Sequence, residues 1–167
     1  KKTGWYTMTA VANRWNPGGA LPARLLSTQV SLAWRFKFTP VTGHPINAQA
    51  EPVTVTKFVP QGLNDLNAVR GGNPIPIRAY ILRGGGEPVA TPRYRLRTPE
   101  FQASFDDGAT WQTLPATWQG SYWLMSVTGP VDGAYVSLRS IQADAHGDST
   151  TETVIRAFAA VNVDGGV

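Results

Sequence analysis

From Gln29 to Phe38 every second residue is a large apolar one. Val30, Leu32, Trp34, Phe36 and Phe38 fall on one face, and Gln29, Ser31, Ala33, Arg35 and Lys37 on the other. A period of two means an extended strand with one buried and one wetter face. The pattern predicts a strand over 27–38. Residues 5–15 read as a second long strand, joined to the first by a loop at 16–22 containing Asn16-Pro17-Gly18-Gly19 and Pro22. A two-stranded hairpin is marginal in water, so this pair needs further strands to lean on.

Further strands are predicted at 53–59, 75–82, 93–97, 101–105, 110–114, 121–127, 134–143 and 152–160. Turn-forming sequences separate them, among them Gly71-Gly72-Asn73-Pro74, Gly84-Gly85-Gly86, Asp107-Gly108, Asp132-Gly133 and His146-Gly147-Asp148. Short strands at this spacing indicate an all-β sandwich rather than βαβ units. Residues 40–52 hold three prolines and little periodicity, and read as a linker or domain boundary. Only 61–69 tolerates a helix, about one turn long.

Composition supports this class. The chain has 167 residues, enough for one domain or one domain and part of another, with 13 Pro, 17 Gly and 16% charged residues. A domain of this size buries about 70% of its unfolded surface and needs no covalent staples. There is no cysteine, which excludes disulfides, thiolate metal sites and a cysteine nucleophile. No apolar run approaches the roughly 20 residues of a membrane-spanning helix. The chain starts at Lys1-Lys2-Thr3 with neither an initiator Met nor a visible signal peptide, and reads as a fragment of something longer. The net charge of +4 is dispersed except at Arg93, Arg95 and Arg97, which alternate with Tyr94 and Leu96. Alternation makes this the wet face of one strand, so no nucleic-acid partner is expected.

Candidate chemistry is sparse. His44 and His146 both lie in turn-like sequence, and neither has a serine in a nucleophile elbow or a second histidine at metal-pair spacing. An Asp144–His146 pairing is conceivable, but exposed turn histidines are the simpler reading. Most of the acids sit in turns, where Asp bonds its own backbone. Turn aspartates such as Asp106-Asp107 leave Ca²⁺ open as a ligand, although Asp-x-Asp-x-Asp spacing is absent, and no other cofactor is expected. Six tryptophans are many for this length. Trp118 and Trp123, if exposed and coplanar, would stack on sugar rings as in a carbohydrate-binding module. The competing reading is core packing.

The richest string is Ser104-Phe105-Asp106-Asp107-Gly108-Ala109-Thr110-Trp111. Asp106 and Gly108 supply a tight turn, Ser104 and Thr110 bond across it, and Trp111 buries a ring beneath it. The string resembles the Asp-box of β-hairpins in sialidases and other β-proteins, where it mainly stabilises a turn. It is followed by Gly133-Ala134-Tyr135-Val136-Ser137-Leu138-Arg139, then Ala143-Asp144-Ala145-His146-Gly147-Asp148, then Thr153-Val154-Ile155-Arg156-Ala157-Phe158. In that order, and with Gly4-Trp5-Tyr6 and Leu26 to Phe36 upstream, the chain resembles the C-terminal region of secreted actinobacterial subtilisin-like serine peptidases over most of 4–158. One departure is Gly147-Asp148, where that family usually has Gly-Asn. The resemblance implies an immunoglobulin-like sandwich over 53–160. It makes 1–39 a β-hairpin or the last strands of a preceding β-domain, 40–52 a linker and 161–167 a tail. It further implies a secreted, non-catalytic accessory module whose partner is the parent's catalytic domain or another protein. No triad motif of that family has a counterpart here, so no catalytic residue carries over. An independent carbohydrate- or surface-binding module is the alternative.

Overall fold

The structure, a computed structural model, describes residues 3–14, 25–38, 53–83 and 96–162. These residues form eleven strands: β1 (Gly4–Asn13), β2 (Gln29–Phe38), β3 (Thr54–Pro60), β4 (Ala68–Arg70), β5 (Pro74–Arg83), β6 (Glu100–Ser104), β7 (Gln112–Leu114), β8 (Ala116–Trp118), β9 (Trp123–Thr128), β10 (Ala134–Ala143) and β11 (Ser149–Val161). They make an all-β, two-sheet fold, as the periodicity requires. The larger sheet runs β1-β2-β11-β10-β6-β7, and β4 pairs in parallel with the end of β11. The smaller runs β3-β5-β9-β8.

The N-terminal hairpin is not free-standing. β1 and β2 pair from Gly4↔Phe38 to Asn13↔Gln29, and β2 then pairs β11 from Ser149↔Arg35 to Ile155↔Gln29. Residues 29–38 therefore continue the larger sheet, and these are the further strands that the hairpin needs. The predicted 40–52 linker, the Gly84-Gly85-Gly86 turn, Arg93, Tyr94 and Arg95 lie outside the described residues. In the described part of the predicted 93–97 strand, Leu96 forms a bridge to Asp144. The 61–69 segment is not helical. Asn64 Oδ1 accepts from the Leu66 and Ala68 amides, a side-chain turn that competes with helix and delivers the chain into β4. The predicted 110–114 strand is β7, and Pro115 separates it from β8 in the other sheet.

Strand β5 shows how period two builds the core. Ile75, Ile77, Ala79 and Ile81 are buried, while Pro74, Pro76 and Arg78 are exposed. Pro76 sits inside a sheet without breaking it. Its C=O accepts from Gln61 N at 2.8 Å, on the side that β3 leaves, so its missing N–H falls outside the β9 ladder. Opposite β5 lie Phe101, Val136, Leu138 and Phe158 from the larger sheet, all at most 1% exposed.

The other end of the inter-sheet space is polar. Thr54 and Thr56 of β3, Ser140 and Gln142 of β10, and Thr150 and Glu152 of β11 are all buried. Thr54 Oγ1 lies 2.7 Å from Gln142 Oε1 and 2.9 Å from Thr150 Oγ1. Gln142 Nε2 donates to Thr56 Oγ1 at 2.6 Å, and Thr56 Oγ1 pairs with Ser140 Oγ at 2.7 Å. Strand β3 is an edge of its sheet, and alternate residues send their backbone groups to the open side. There the Thr56 amide donates to Glu152 Oε2 at 2.6 Å, and the Thr54 carbonyl accepts from Trp34 Nε1 at 2.8 Å. Side chains of the larger sheet thus complete the edge of the smaller one.

Burial raises the Glu152 pKa above the usual 4.5, and the Thr56 amide only partly offsets this. The folded chain therefore holds that proton more tightly than the unfolded chain. The contribution is full below about 4.5 and is lost as pH rises through the folded-state value. Replacing Glu152→Gln keeps the acceptor and removes the buried charge. Urea unfolding is expected to show a more stable protein at pH 7 and no loss of stability across that window. Glu152→Leu strands the Thr56 amide and is expected to cost about 1–3 kcal/mol in the same measurement.

Candidate functional site

The loop between β6 and β7 is built around two small side chains. Ser104, at the end of β6, is 2% exposed. Its Oγ accepts from the Gly108 amide at 2.8 Å and the Asp106 amide at 3.3 Å, and donates to Asp106 Oδ1 at 2.7 Å. Asp106 Oδ1 also accepts from the Thr110 amide at 2.9 Å, and Oδ2 accepts from Thr110 Oγ1 at 2.5 Å. Bonds from Thr110 and Ser104 hold the Asp106 carboxyl well below its usual 3.8, at about 2. Asp107 and Gly108 both take left-handed conformations, with φ of 55° and 88°. Gly108 is needed twice over: for its φ, and because a Cβ there would lie 3.0 Å from Ile155 and 3.2 Å from Trp111. Trp111 closes the loop by donating Nε1 to the Gly108 carbonyl at 2.9 Å, with its ring half-buried.

Ser104, Asp106, Gly108, Thr110 and Trp111 thus come together in one turn that bonds its own polar groups. The sequence reading missed where the turn is anchored. Asp107 grips Arg156 of β11 bidentately, Nε to Oδ1 at 2.8 Å and Nη2 to Oδ2 at 2.6 Å. The pairing lowers the Asp107 pKa and raises that of Arg156. Arg156 has a φ of 56° beside an irregularity in the β10–β11 register between Val136 and Leu138, and its guanidinium lies 4.4 Å from the Tyr135 ring centroid. Arg139 of β10 bonds Gln102 Oε1 and stacks 4.2 Å over Trp111. An open groove of about 860 Å³ lies along this line, on the outer face of the larger sheet, and Arg14, Arg139 and Arg156 all line it. The only sequence signal for the anchor was a lone Asp beside the motif and a lone Arg 49 positions later.

Trp118 and Trp123 lie elsewhere, on β8 and β9 of the smaller sheet. They do not form an exposed stacking surface. Trp123 is 7% exposed, Trp118 packs half-buried against the core, and their planes are inclined by 52° at 5.3 Å. Trp118 shares the inward face of β8 with Ala116, while Thr117 is exposed, so strand alternation turns its ring to the core.

The two aspartates weighed for Ca²⁺ are engaged with Ser104, Thr110 and Arg156. Among the described residues no three His, Cys, Asp or Glu side chains gather as a metal site. Asp144 Oδ1 accepts the backbone amides of His146 and Asp148, so the Asp144–His146 contact is part of a turn. His44 lies outside the described residues. Among those residues no helix is long and apolar enough to cross a membrane. No protein-family model matches the chain, and no curated protein matches it.

Ser104→Ala leaves the Gly108 amide without its acceptor inside a 2%-exposed site, and is expected to cost about 1–3 kcal/mol in denaturant unfolding. The Asp106 contribution has the opposite pH sign to that of Glu152. Its folded-state pKa is depressed, so the contribution is present above 3.8 and lost as pH falls through about 2. Acid titration of stability is expected to show this loss in the native sequence, and a shallower one in Asp106→Asn.

Proposed function

We propose that this chain is a non-catalytic accessory region of a secreted subtilisin-like serine peptidase, and that it docks through its N-terminal edge strand. The observation that carries this reading is β1. It is ten residues long, has no charged side chain, and borders its sheet with no further strand beside it among the described residues. Trp5, Tyr6, Met8 and Val11 are 43–58% exposed. Natural sheets blunt such edges with charges, prolines or a covering element. Tyr6 packs with Phe36 and Phe38, at centroid distances of 6.4 and 5.7 Å, so an aromatic patch borders this edge. An uncovered apolar border of this kind suits a permanent partner, and the catalytic domain of the parent enzyme is the nearest one.

The motif order supports the same reading. Two of the stretches that carry the family resemblance fall at structural joints. The Asp-box-like turn anchors β6 to β11. The Gly147-Asp148 turn ties β10 and β11 to β2, with Asp148 Oδ1 accepting from the Lys37 amide at 2.9 Å and the Gly147 carbonyl from Arg35. Gly147 has a φ of 90° and lies against Trp5. Asp148 fills the place of the family's Asn because the joint uses only a carbonyl-type oxygen at that side chain.

In this reading the coding sequence upstream of Lys1 carries an Asp/His/Ser domain. In the full-length enzyme the double variant Tyr6→Ser/Met8→Ser is expected to shorten the thermal half-life about tenfold, because it weakens the docked face. The purified 167-residue chain is expected not to react with a fluorophosphonate. A coding sequence without a peptidase domain, or labelling of the isolated chain, contradicts the proposal.

A further inference from the structure

The groove on the outer face of the larger sheet has properties that a turn-stabilising motif does not require. Three arginines line it, Arg14, Arg139 and Arg156, against one carboxylate, Asp107. That carboxylate is spent on Arg156. Arg139 is held by Gln102 and the Trp111 ring, and neither Arg139 nor Arg14 has a carboxylate partner among the described residues. A guanidinium already fixed in place, with no anion of its own, is preorganised for an incoming one.

Backbone strain converges on the same place. Four described residues other than glycine have positive φ: Ser27, Asn67, Asp107 and Arg156. Two of them, Asp107 and Arg156, line the groove, and Ser27 is bonded to one of these. The Ser27 amide bonds the Arg156 carbonyl at 2.7 Å, and the Arg156 side chain bonds Asp107. Each such conformation costs of order 1 kcal/mol or more and persists only where its surroundings enforce it.

The floor identifies the class of ligand. Its central part is the face of a sheet, whose backbone groups are engaged in the β1–β2–β11–β10 ladders as far as Ile155. An extended peptide, which docks through main-chain bonds to a free strand edge, has nothing to pair with there. The floor instead offers the paired amides of Asn13 and Gln29, 2.9 Å apart, and the hydroxyls of Thr28 and Thr153. Amides and hydroxyls between a fixed guanidinium, Arg139, and an exposed one, Arg14, suit a chain of hydroxyls and anionic groups. We propose that this groove binds an anionic polysaccharide, with Arg139 and Arg14 receiving its acidic groups and Asn13, Gln29 and Thr153 its hydroxyls. Trp111 acts by positioning Arg139, since that guanidinium covers one face of its ring. The proposal does not depend on the accessory reading.

The test is isothermal titration of the whole chain at about 0.15 M salt, where exposed charges more than a Debye length apart are largely screened. The ligands are polygalacturonate, dextran sulfate, neutral dextran and poly-L-glutamate. Polygalacturonate or dextran sulfate is expected to bind, and whichever binds more tightly tells whether the groove takes carboxylate or sulfate. Dextran and poly-L-glutamate are expected to bind at least tenfold more weakly. Arg139→Ala and Arg14→Ala are each expected to weaken binding about tenfold, the scale of one lost charge-assisted contact. Arg78→Ala, an exposed arginine of the smaller sheet, is expected to change it less than twofold. Arg14 lies beyond the end of β1, so its variant answers the question even if Arg139→Ala unfolds. Absence of binding to both anionic glycans overturns the proposal. So does an Arg78→Ala loss equal to that of Arg14→Ala, which would make the effect one of bulk charge. Equal binding of poly-L-glutamate overturns the glycan assignment in favour of an acidic peptide.

Discussion

Two hydrogen bonds decide how the sheets of this protein meet. The open edge of β3 presents the Thr54 carbonyl and the Thr56 amide, and the larger sheet answers with Trp34 Nε1 and Glu152 Oε2. An edge strand that stayed unpaired would be a site for adventitious strand addition. Here it is closed by side chains, so the smaller sheet keeps four strands while its border is tied to its neighbour. The cost is a carboxylate in a site 7% exposed, where burial resists its charge. The hydroxyls and amide around it form a connected set, which lets a polar region survive in the interior. The apolar half of the core, from Ile75 to Phe158, holds the sheets together. The polar half fixes their register, because its bonds are directional and oil-like packing is not.

The same two strands link the interior to the outer face. β11 carries Thr150 and Glu152 inward and Thr153 and Ile155 outward, then changes register between Val154 and Phe158; β2 pairs it as far as Ile155 and β4 from Ala159. The left-handed Arg156 turns its side chain toward Asp107 and so anchors the β6–β7 turn across the sheet. One irregularity in one strand therefore serves the topology, the anchored turn and the walls of the groove. Bulges commonly re-aim side chains in this way.

Strands with one buried face were legible in the sequence. The alternation in 29–38, the turn sequences between strands and the Ser-x-Asp-x-Gly-x-Thr-Trp string each encode a local geometry, and local geometry is what period and turn chemistry report. The polar interior was not legible. Ser149-Thr150-Thr151-Glu152-Thr153 is polar at every position, so no period tells which side chains point inward. The Trp118–Trp123 pair misled for a related reason. A Gln-Gly-Ser turn signals a loop tip, but the adjoining ring folds back into the core because burying an indole outweighs leaving it wet. Nor did local pattern show that β2 pairs β11, or that Asp107 reaches Arg156, since both join positions far apart in the chain. Charge dispersed along a sequence conceals a basic groove assembled from β10, β11 and the residue just beyond β1.

Glu152 and Trp34 close the edge of β3, and amide hydrogen exchange at Thr56 tests this directly. A closed edge predicts that the Thr56 amide exchanges only through global unfolding, as slowly as the Ile77 amide inside the smaller sheet. A Thr56 amide that exchanges rapidly under native conditions, like that of an open edge strand, would contradict it.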